Sequence, residues 1–310
     1  MYDIYNTEEV KCGDVDFGDQ YFRIGRKYPG DDLRRSVEHF GPLEPPLLIR
    51  EGGRYRIVFG FNRIAVISEQ GMESFRACVV DLLEREIFLD MAVLKCFRNE
   101  VGPVGKVRLV RILREHFGAN DDELLRVAES ALGMPAEFVG AGLADKMLDL
   151  PESVRDYMDQ RNVNFRTIKN FLRLPDEGIE IIAGWIDTVY MRVNIFRQIV
   201  DMVLDIYNRD GGLAAISGIA PVQSHKAEDF YHDLVLRARY PEYCKMKNEA
   251  SGIIEFFRSR GVDVGMPEYF EGDSVRISFA AGKRRGINGL RNVISFLDGP
   301  EMIRLLDLLG

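Results

Sequence analysis

The stretch that most constrains this chain runs from residue 33 to residue 67, because its turn residues separate a helix, two strands and a second helix. Apolar residues with helical spacing precede Gly41, which is a stop signal. Residues 51–53, Glu-Gly-Gly, predict a hairpin between two β-rich runs. Gly60 then stands where a strand gives way to a helix, a position at which main-chain N–H groups can face a phosphate.

The order of these parts resembles the ParB/sulfiredoxin superfamily and, within it, the ParB-type partition proteins. Their stretch reads approximately L-x-x-S-I-x-x-x-G-x-x-x-P, then a strand pair, then G-E-R-R. The residues in register with the first pattern are Leu33, Ser36, Val37, Gly41 and Pro45, and Gly60-Phe61-Asn62-Arg63 stands at G-E-R-R. Sulfiredoxins carry a reactive cysteine where this chain has Phe61, so their chemistry is not expected here. Residues 143–177 are similar to two short helical units of ParB-type proteins, each ending in Leu-Pro.

We therefore expect an α+β fold that is mostly helical and has three domains. A ParB/sulfiredoxin-like α/β domain is expected over residues 1–100, with a candidate strand at residues 21–24. An all-α domain with a helix-turn-helix is expected over 101–210. A small helix–strand–helix domain over 211–310 contains one predicted strand and is the natural dimerisation domain.

Local signals in the central region predict where its helices begin and end. Pro103 suits a first helical position, and Asn120 with Glu123 suits a reciprocal capping pair. A helix is predicted from Asp121 to Leu132, ended by Gly133, and a recognition helix from Pro135 to about Asp149. Two more helices are predicted to begin at Pro151 and near Asn164. A long helical region is predicted after Pro175 and contains Trp185, Tyr190 and Phe196.

The family resemblance implies a site for CTP with Mg2+, formed by the glycine turn and a later E-N-x-x-R segment. The nucleotide-binding residues implied are Ser36, Gly41, Pro45, Gly60, Arg63, Arg98 and Asn99. Leu94 and Lys95 occupy the Glu and Asn positions of the later segment, and Glu100 lies nearby. The alternative is that Gly60 only makes a turn and Arg63 pairs with a surface acid. Catalytic residues are not assigned, and the expected activity is at most a weak nucleoside triphosphatase.

Two basic segments without acids are the predicted phosphate contacts with DNA, residues 161–173 and residues 276–292. The recognition helix adds a single lysine. The DNA-binding residues predicted are Lys146, Arg161, Arg166, Lys169, Arg173, Lys283, Arg284 and Arg285. The alternative is a pair of solvated basic faces that balance acidic surface elsewhere.

Composition limits these expectations. The net charge of −8 and the pI near 5.3 exclude a protein whose whole surface is basic and grips nucleic acid, although local patches decide phosphate contact. The sequence has no apolar run of membrane length and no secretion signal at its start, so we expect a cytoplasmic protein without a membrane partner. The four cysteines are scattered, so no metal site is expected from them.

The function expected from sequence is that of a ParB-like DNA-binding protein, gated by CTP, that acts as a homodimer in DNA partition or transcriptional regulation. The alternative is a degenerate ParB relative that serves as a protein-interaction scaffold without nucleotide turnover. The altered G-E-R-R and E-N-x-x-R positions and the acidic pI favour that alternative.

Overall fold

A computed structural model of the chain describes residues 7–219, 222, 226–280 and 286–309. The described residues form fourteen α-helices and seven strands, so the predicted α+β, mostly helical class is confirmed. They group into two compact units. The first comprises residues up to 204 with 222 and 226–228, and the second comprises 205–219 and the described residues from 229 onward. Among all of these residues, no helix is both long and apolar enough to cross a membrane.

The first unit opens with a five-stranded mixed sheet. Its strands are β1 (Thr7–Lys11), β2 (Val15–Asp16), β3 (Leu47–Glu51), β4 (Arg54–Phe59) and β5 (Ser74–Val80), in the spatial order β1-β5-β3-β4-β2. The predicted hairpin is the antiparallel pair β3–β4, and Gly52 and Gly53 have the positive φ values, 56° and 85°, that its tight turn needs. β3 also runs parallel to β5, and β2 runs parallel to β4.

Three helices accompany the sheet: α1 (Asp31–Phe40), α2 (Phe61–Glu69) and α3 (Arg85–Phe97). Gly41 ends α1 as predicted, and its N–H donates to the Val37 carbonyl over 2.9 Å. Val37 of α1, Ile64 of α2 and Leu48 of β3 belong to one apolar core. This shared core holds the glycine turn between β4 and α2 in a fixed place.

Residues 21–22 form a turn and residues 23–24 have no regular structure, so the strand predicted over 21–24 is wrong. Phe22 and Ile24 are buried, at 0% and 2% exposure, as alternating strand residues would be. Their burial comes from helices, because the Phe22 ring lies 5.7 Å from that of Phe88 in α3 and 5.0 Å from that of His116. An alternating pattern this short cannot distinguish the two environments.

The helices that follow are α4 (Pro103–Glu115), α5 (Asp121–Val127), α6 (Ala141–Leu148), α7 (Glu152–Gln160), α8 (Phe165–Phe171), α9 (Asp176–Ile186) and α10 (Val193–Asp210). The predicted starts of α4, α7 and α8 are confirmed. The capping pair is also present: the Glu123 N–H donates to Asn120 Oδ1 over 3.0 Å, and the Asn120 N–H donates to Glu123 Oε2 over 3.1 Å.

The recognition helix predicted from Pro135 to Asp149 is too long. Pro135 is extended, residues 136–138 form one 3-10 turn, and α6 begins only at Ala141, after Gly140. The helix before it changes from α to a π turn over residues 128–132 and ends at Gly133. The extended proline and the glycine delay the helix start, so α6 offers only about two turns to a ligand.

The long helical region predicted after Pro175 is two helices, α9 and α10. Thr188 Oγ1 donates to the Trp185 carbonyl over 3.0 Å, which satisfies a terminal carbonyl of α9. Tyr190 therefore lies in the connection and is 73% exposed.

The remaining elements are α11 (Ala227–Arg239), α12 (Pro241–Arg258), β6 (Val262–Gly265), β7 (Arg276–Phe279), α13 (Gly286–Leu297) and α14 (Pro300–Leu306). β7 corresponds to the predicted strand, and its partner is the antiparallel β6, which was not predicted. Phe257 of α12, Val262 of β6 and Leu305 of α14 belong to a second apolar core.

Candidate nucleotide cleft and nucleic-acid surface

Gly60 is required by the local geometry of the β4–α2 connection. Its φ of 96° and ψ of 18° lie in the left-handed region that favours glycine. A Cβ added there would lie 2.9 Å from Pro46 Cβ and 3.0 Å from Pro46 Cα, which is too close for an ordinary contact. Glycine thus lets the helix start pack directly against the proline that leads into β3.

The N terminus of α2 opens on a cleft of about 290 Å3 that we call the first cleft; Gly60, Phe61, Asn62 and Arg63 line it. No side chain caps the helix at Gly60. The Ile64 N–H donates back to the Gly60 carbonyl over 3.0 Å, whereas the N–H groups before it precede the helical ladder. These groups and the helix dipole favour an anion at this end of the cleft.

A basic segment, residues 22–28, forms the facing wall of the first cleft. Arg23 Nη2 donates to Asn62 Oδ1 over 2.8 Å, and Asn62 Nδ2 donates to the Arg26 carbonyl over 3.1 Å. Asn62 therefore fastens this wall to the start of α2. The Nε atoms of Arg23 and Arg26 are buried and have no hydrogen-bond partner within the described part of the chain.

Arg23 and Arg26 are the site residues that sequence reasoning missed. The available signal was the basic run from residue 23 to residue 27, just upstream of the family pattern. Burial lowers the pKa of the Arg23 guanidinium, and the nearby charge of Arg108 acts in the same direction. An anion in the first cleft would oppose both effects.

Arg63 and Arg98 are brought together by one carboxylate. Arg63 pairs with Glu44, and Arg98 Nη1 lies 3.7 Å from the other oxygen of the same group. Both predicted cations therefore already hold an anion, supplied by the chain itself. The Glu44 carboxylate marks where an anionic ligand would be held by both.

The other predicted nucleotide residues divide between the first cleft and its surroundings. Asn99 lines the first cleft and has a positive φ of 56°. Ser36, Gly41, Pro45 and Arg98 do not line it, and neither does Glu44. Gly41 ends α1, and Pro45 immediately precedes the proline that packs on Gly60.

The residues present fit a phosphate group but not a protein-held magnesium ion. Leu94, at the Glu position of the family segment, is 50% exposed and brings no ligand atom. Lys95 Nζ donates to Glu100 Oε2 over 2.8 Å, so the nearby acid is held by a cation. Within the described ranges, no three His, Cys, Asp or Glu side chains group in a way that could hold a metal ion.

The predicted DNA-binding residues of the helical region differ in how freely they present their charge. Lys146, Arg166 and Arg173 are exposed. Lys169 pairs with Glu137. Arg161 stacks on Tyr190, with the guanidinium carbon 3.3 Å from the ring centre. Its Nε and Nη2 are buried and lack a hydrogen-bond partner within residues 7–219 and the other described ranges.

The apolar side of α8 is buried as the sequence pattern predicts. Ile168 and Leu172 are buried, and Phe165 contacts Phe138 with their ring centres 4.9 Å apart. Arg166 therefore extends from a firmly packed helix, and Arg173 lies in the turn that follows α8. Lys283, Arg284 and Arg285 lie outside the described residues.

No model of a known protein family matches the sequence. A curated relative, the probable chromosome-partitioning protein ParB of Helicobacter pylori (strain ATCC 700392 / 26695), is 23% identical over 176 residues, or 56% of this chain. The chain is ParB-like. The match covers 57% of the relative, so the ParB-like chain spans little more than half the length of that protein.

Three solved structures are similar to this ParB-like chain at low scores. The ParB of Caulobacter crescentus, C-terminally truncated and complexed with CTP-gamma-S, is 17% identical with a TM-score of 0.25, covering 59% of this chain and 99% of the other. The same protein complexed to the centromeric parS site is 16% identical with a TM-score of 0.30, covering 63% of this chain and 98% of the other. A Pnob8-like ParB-N domain is 12% identical with a TM-score of 0.35, covering 76% of this chain and 97% of the other. Superpositions of this quality support no residue-by-residue comparison.

Proposed function

We propose that this ParB-like chain is a DNA-binding protein of the partition type whose first cleft binds a nucleoside triphosphate. The observation that carries the proposal is that the α2 N terminus, Arg63, Arg23 and Arg26 all line that cleft, and that the buried Nε atoms of Arg23 and Arg26 have no hydrogen-bond partner among the described residues. The choice of CTP over other nucleotides rests on the family resemblance of the glycine turn. Each of these groups recognises phosphate, and together they exceed what a simple turn needs.

The proposed role of Glu44 is to compete with the nucleotide for two arginines. Its carboxylate occupies Arg63 and Arg98 when no ligand is bound, and the phosphates of a nucleotide would replace it. Replacement frees Glu44 from both arginines, while Asn62 keeps the wall formed by residues 22–28 fastened to α2. A ligand with different affinities for these two arrangements shifts the equilibrium between them, and the favoured arrangement would retain DNA.

We expect Arg63→Ala to weaken CTP binding by about 10- to 100-fold, because a charge-assisted hydrogen bond to phosphate contributes about 1.5–3 kcal/mol. Glu44→Gln is expected to act in the opposite direction, since it removes the internal competitor for Arg63 but keeps the side-chain shape. Calorimetric titration with CTP and with ATP, in buffer containing MgCl2, measures both effects.

Arg54→Ala is the matched control, because Arg54 is an exposed arginine of β4 that does not line the first cleft. Its CTP affinity should equal that of the wild type. Equal affinities in wild type, Arg63→Ala and Glu44→Gln would remove the first cleft as the nucleotide site. The absence of heat with either nucleotide would favour the scaffold alternative.

For DNA we expect the double variant Arg166→Ala/Arg173→Ala to lower the slope of log K against log salt concentration by about 2. Each neutralised phosphate contributes about 0.9 to that slope on duplex DNA, and the variant removes two cations. Lys169→Ala should change it less, because the Lys169 charge is already paired with Glu137. Fluorescence anisotropy on mixed-sequence duplex DNA at several salt concentrations gives the slopes. An unchanged slope in the double variant would exclude α8 from the DNA surface.

A scaffold without nucleotide turnover is the second candidate. Two observations favour it: Leu94 brings no ligand atom to the first cleft, and the short α6 presents Lys146 as its single cation. In either case we propose a homodimer formed through the second unit, where Ile294 and Ile303 expose about three fifths of their side-chain surface.

A further inference from the structure

A second cleft of about 610 Å3 adjoins the first. It lies between residues 20–27, α4 and α7, and Arg23 and Gly25 line both clefts. The basic segment therefore separates the two. Nothing in the proposed nucleotide site uses the far side of this wall.

Most carboxylates of the second cleft are already engaged. Glu152 pairs with Lys27, and Glu115 Oε1 accepts from Arg111 Nε over 2.8 Å. Asp159 accepts from the Val104 N–H over 2.8 Å and from the Gly105 N–H over 3.3 Å, so it caps the start of α4. These pairings leave three arginines of the lining without a carboxylate: Arg23, which bonds to Asn62, and one arginine each on α4 and α7.

The arginines on α4 and α7 are Arg108 and Arg155. Arg155 Nη1 donates to the Leu148 carbonyl over 2.9 Å, and its Nε is buried without a hydrogen-bond partner in the described part of the chain. Arg108 forms no hydrogen bond or ion pair that meets normal distance limits with a described residue. Burial lowers the pKa of Arg108, and the positive charge of Arg155 lowers it further, whereas the negative charges of Asp159, Asp156 and Glu152 raise it. Both guanidinium groups line the second cleft, and among its described lining residues Asp156 is the acid that is not already engaged.

We propose that the second cleft binds a small phosphorylated anion, with the phosphate held between Arg108 and Arg155. Guanidinium groups recognise phosphate through paired N–H donors, and an anion between them removes their mutual repulsion. A cleft of this volume exceeds one phosphate and accommodates a phosphomonoester or pyrophosphate. Asp156, the acid of the lining that is not already engaged, can then accept a hydrogen bond from a hydroxyl group of a phosphomonoester.

Pyrophosphate is the probe, and the protein tested is the whole 310-residue chain. We expect calorimetric binding to wild type that becomes at least tenfold weaker in Arg108→Gln and in Arg155→Gln. Arg63→Ala should keep wild-type affinity for pyrophosphate while losing affinity for CTP. This cross-pattern makes failure of the second cleft distinguishable from failure of the first. Arg126→Gln, an exposed arginine of α5 outside both clefts, is the charge-matched control.

A measurement on the unmodified chain guards against variants that do not fold. Phenylglyoxal modifies accessible arginines, and peptide mass spectrometry reports each site. Pyrophosphate should slow modification of Arg108 and Arg155 at least threefold and leave Arg126 unchanged. Three results would overturn the proposal: no binding to wild type, equal affinity in wild type and both glutamine variants, or loss of pyrophosphate binding in Arg63→Ala alone.

Discussion

Replacing Gly105 with alanine is expected to destabilise the chain by about 3 kcal/mol or more, at the upper end of the cost of overpacking a core. The added Cβ would fall well inside the contact distance of the Ile24 carbonyl oxygen, 3.0 Å from the Ile24 carbonyl carbon and 2.8 Å from Val101 Cγ1. Two of these three atoms are main chain, so no rotamer change relieves the overlap. Urea unfolding followed by circular dichroism measures the loss.

Gly184→Ala is the matched control, because Gly184 also lies within a helix but an added Cβ would meet nothing within 4 Å. It should raise the free energy of unfolding by about 0.5–1 kcal/mol, since alanine is the better helix former. Wild-type stability in Gly105→Ala would mean that α4 does not pack on the main chain of Ile24.

Asp159→Ala is expected to cost about 1–3 kcal/mol at pH 7, because it leaves the buried N–H groups of Val104 and Gly105 without their acceptor. Asp159→Asn keeps an acceptor oxygen and should retain most of the wild-type stability. Asp159 is 7% exposed, and burial raises its pKa from 3.8 to about 6. The two N–H hydrogen bonds and the charge of Arg108 lower this pKa, and the charge of Asp156 raises it further. The protonated form of Asp159 is therefore the better accommodated one in the fold.

The pH dependence follows from the direction of that shift. A carboxyl whose pKa is raised on folding stabilises the protein below its unfolded pKa, and this contribution is lost as pH rises to about 6. The difference in unfolding free energy between wild type and Asp159→Asn should therefore fall by about 2 kcal/mol between pH 4 and pH 6 and become level above about pH 7. A difference that rises over this interval would show that Asp159 is better accommodated as a carboxylate.

The sequence predicted those features of the fold that depend on neighbours along the chain. The glycine turn at Gly60, the hairpin at Gly52 and the cap at Asn120 each need only a few adjacent residues, and all three are present. The helix starts at Pro103 and Asn164 were predictable for the same reason.

The features that were missed depend on residues distant in sequence. β1 has the sequence Thr-Glu-Glu-Val-Lys, which suits a charged edge strand but has no alternating apolar pattern, and it is a strand because it pairs with β5 about 65 residues later. Arg23 and Arg26 became site residues only because Asn62 fastens their segment to α2. The predicted recognition helix is too long because Pro135 suits a first helical position by its type, whereas here it is extended and the helix starts only after Gly140.

The wall shared by the two clefts has a thermodynamic consequence. Arg23 contributes one guanidinium to both sides of it, so an anion on one side neutralises charge that an anion on the other side would use. Each ligand then weakens the binding of the other. A thermodynamic cycle requires that the two dissociation constants be raised by the same factor. Whatever pyrophosphate does to the dissociation constant of CTP, CTP must do to that of pyrophosphate. A chain of this kind would report the level of one phosphorylated compound through its affinity for another.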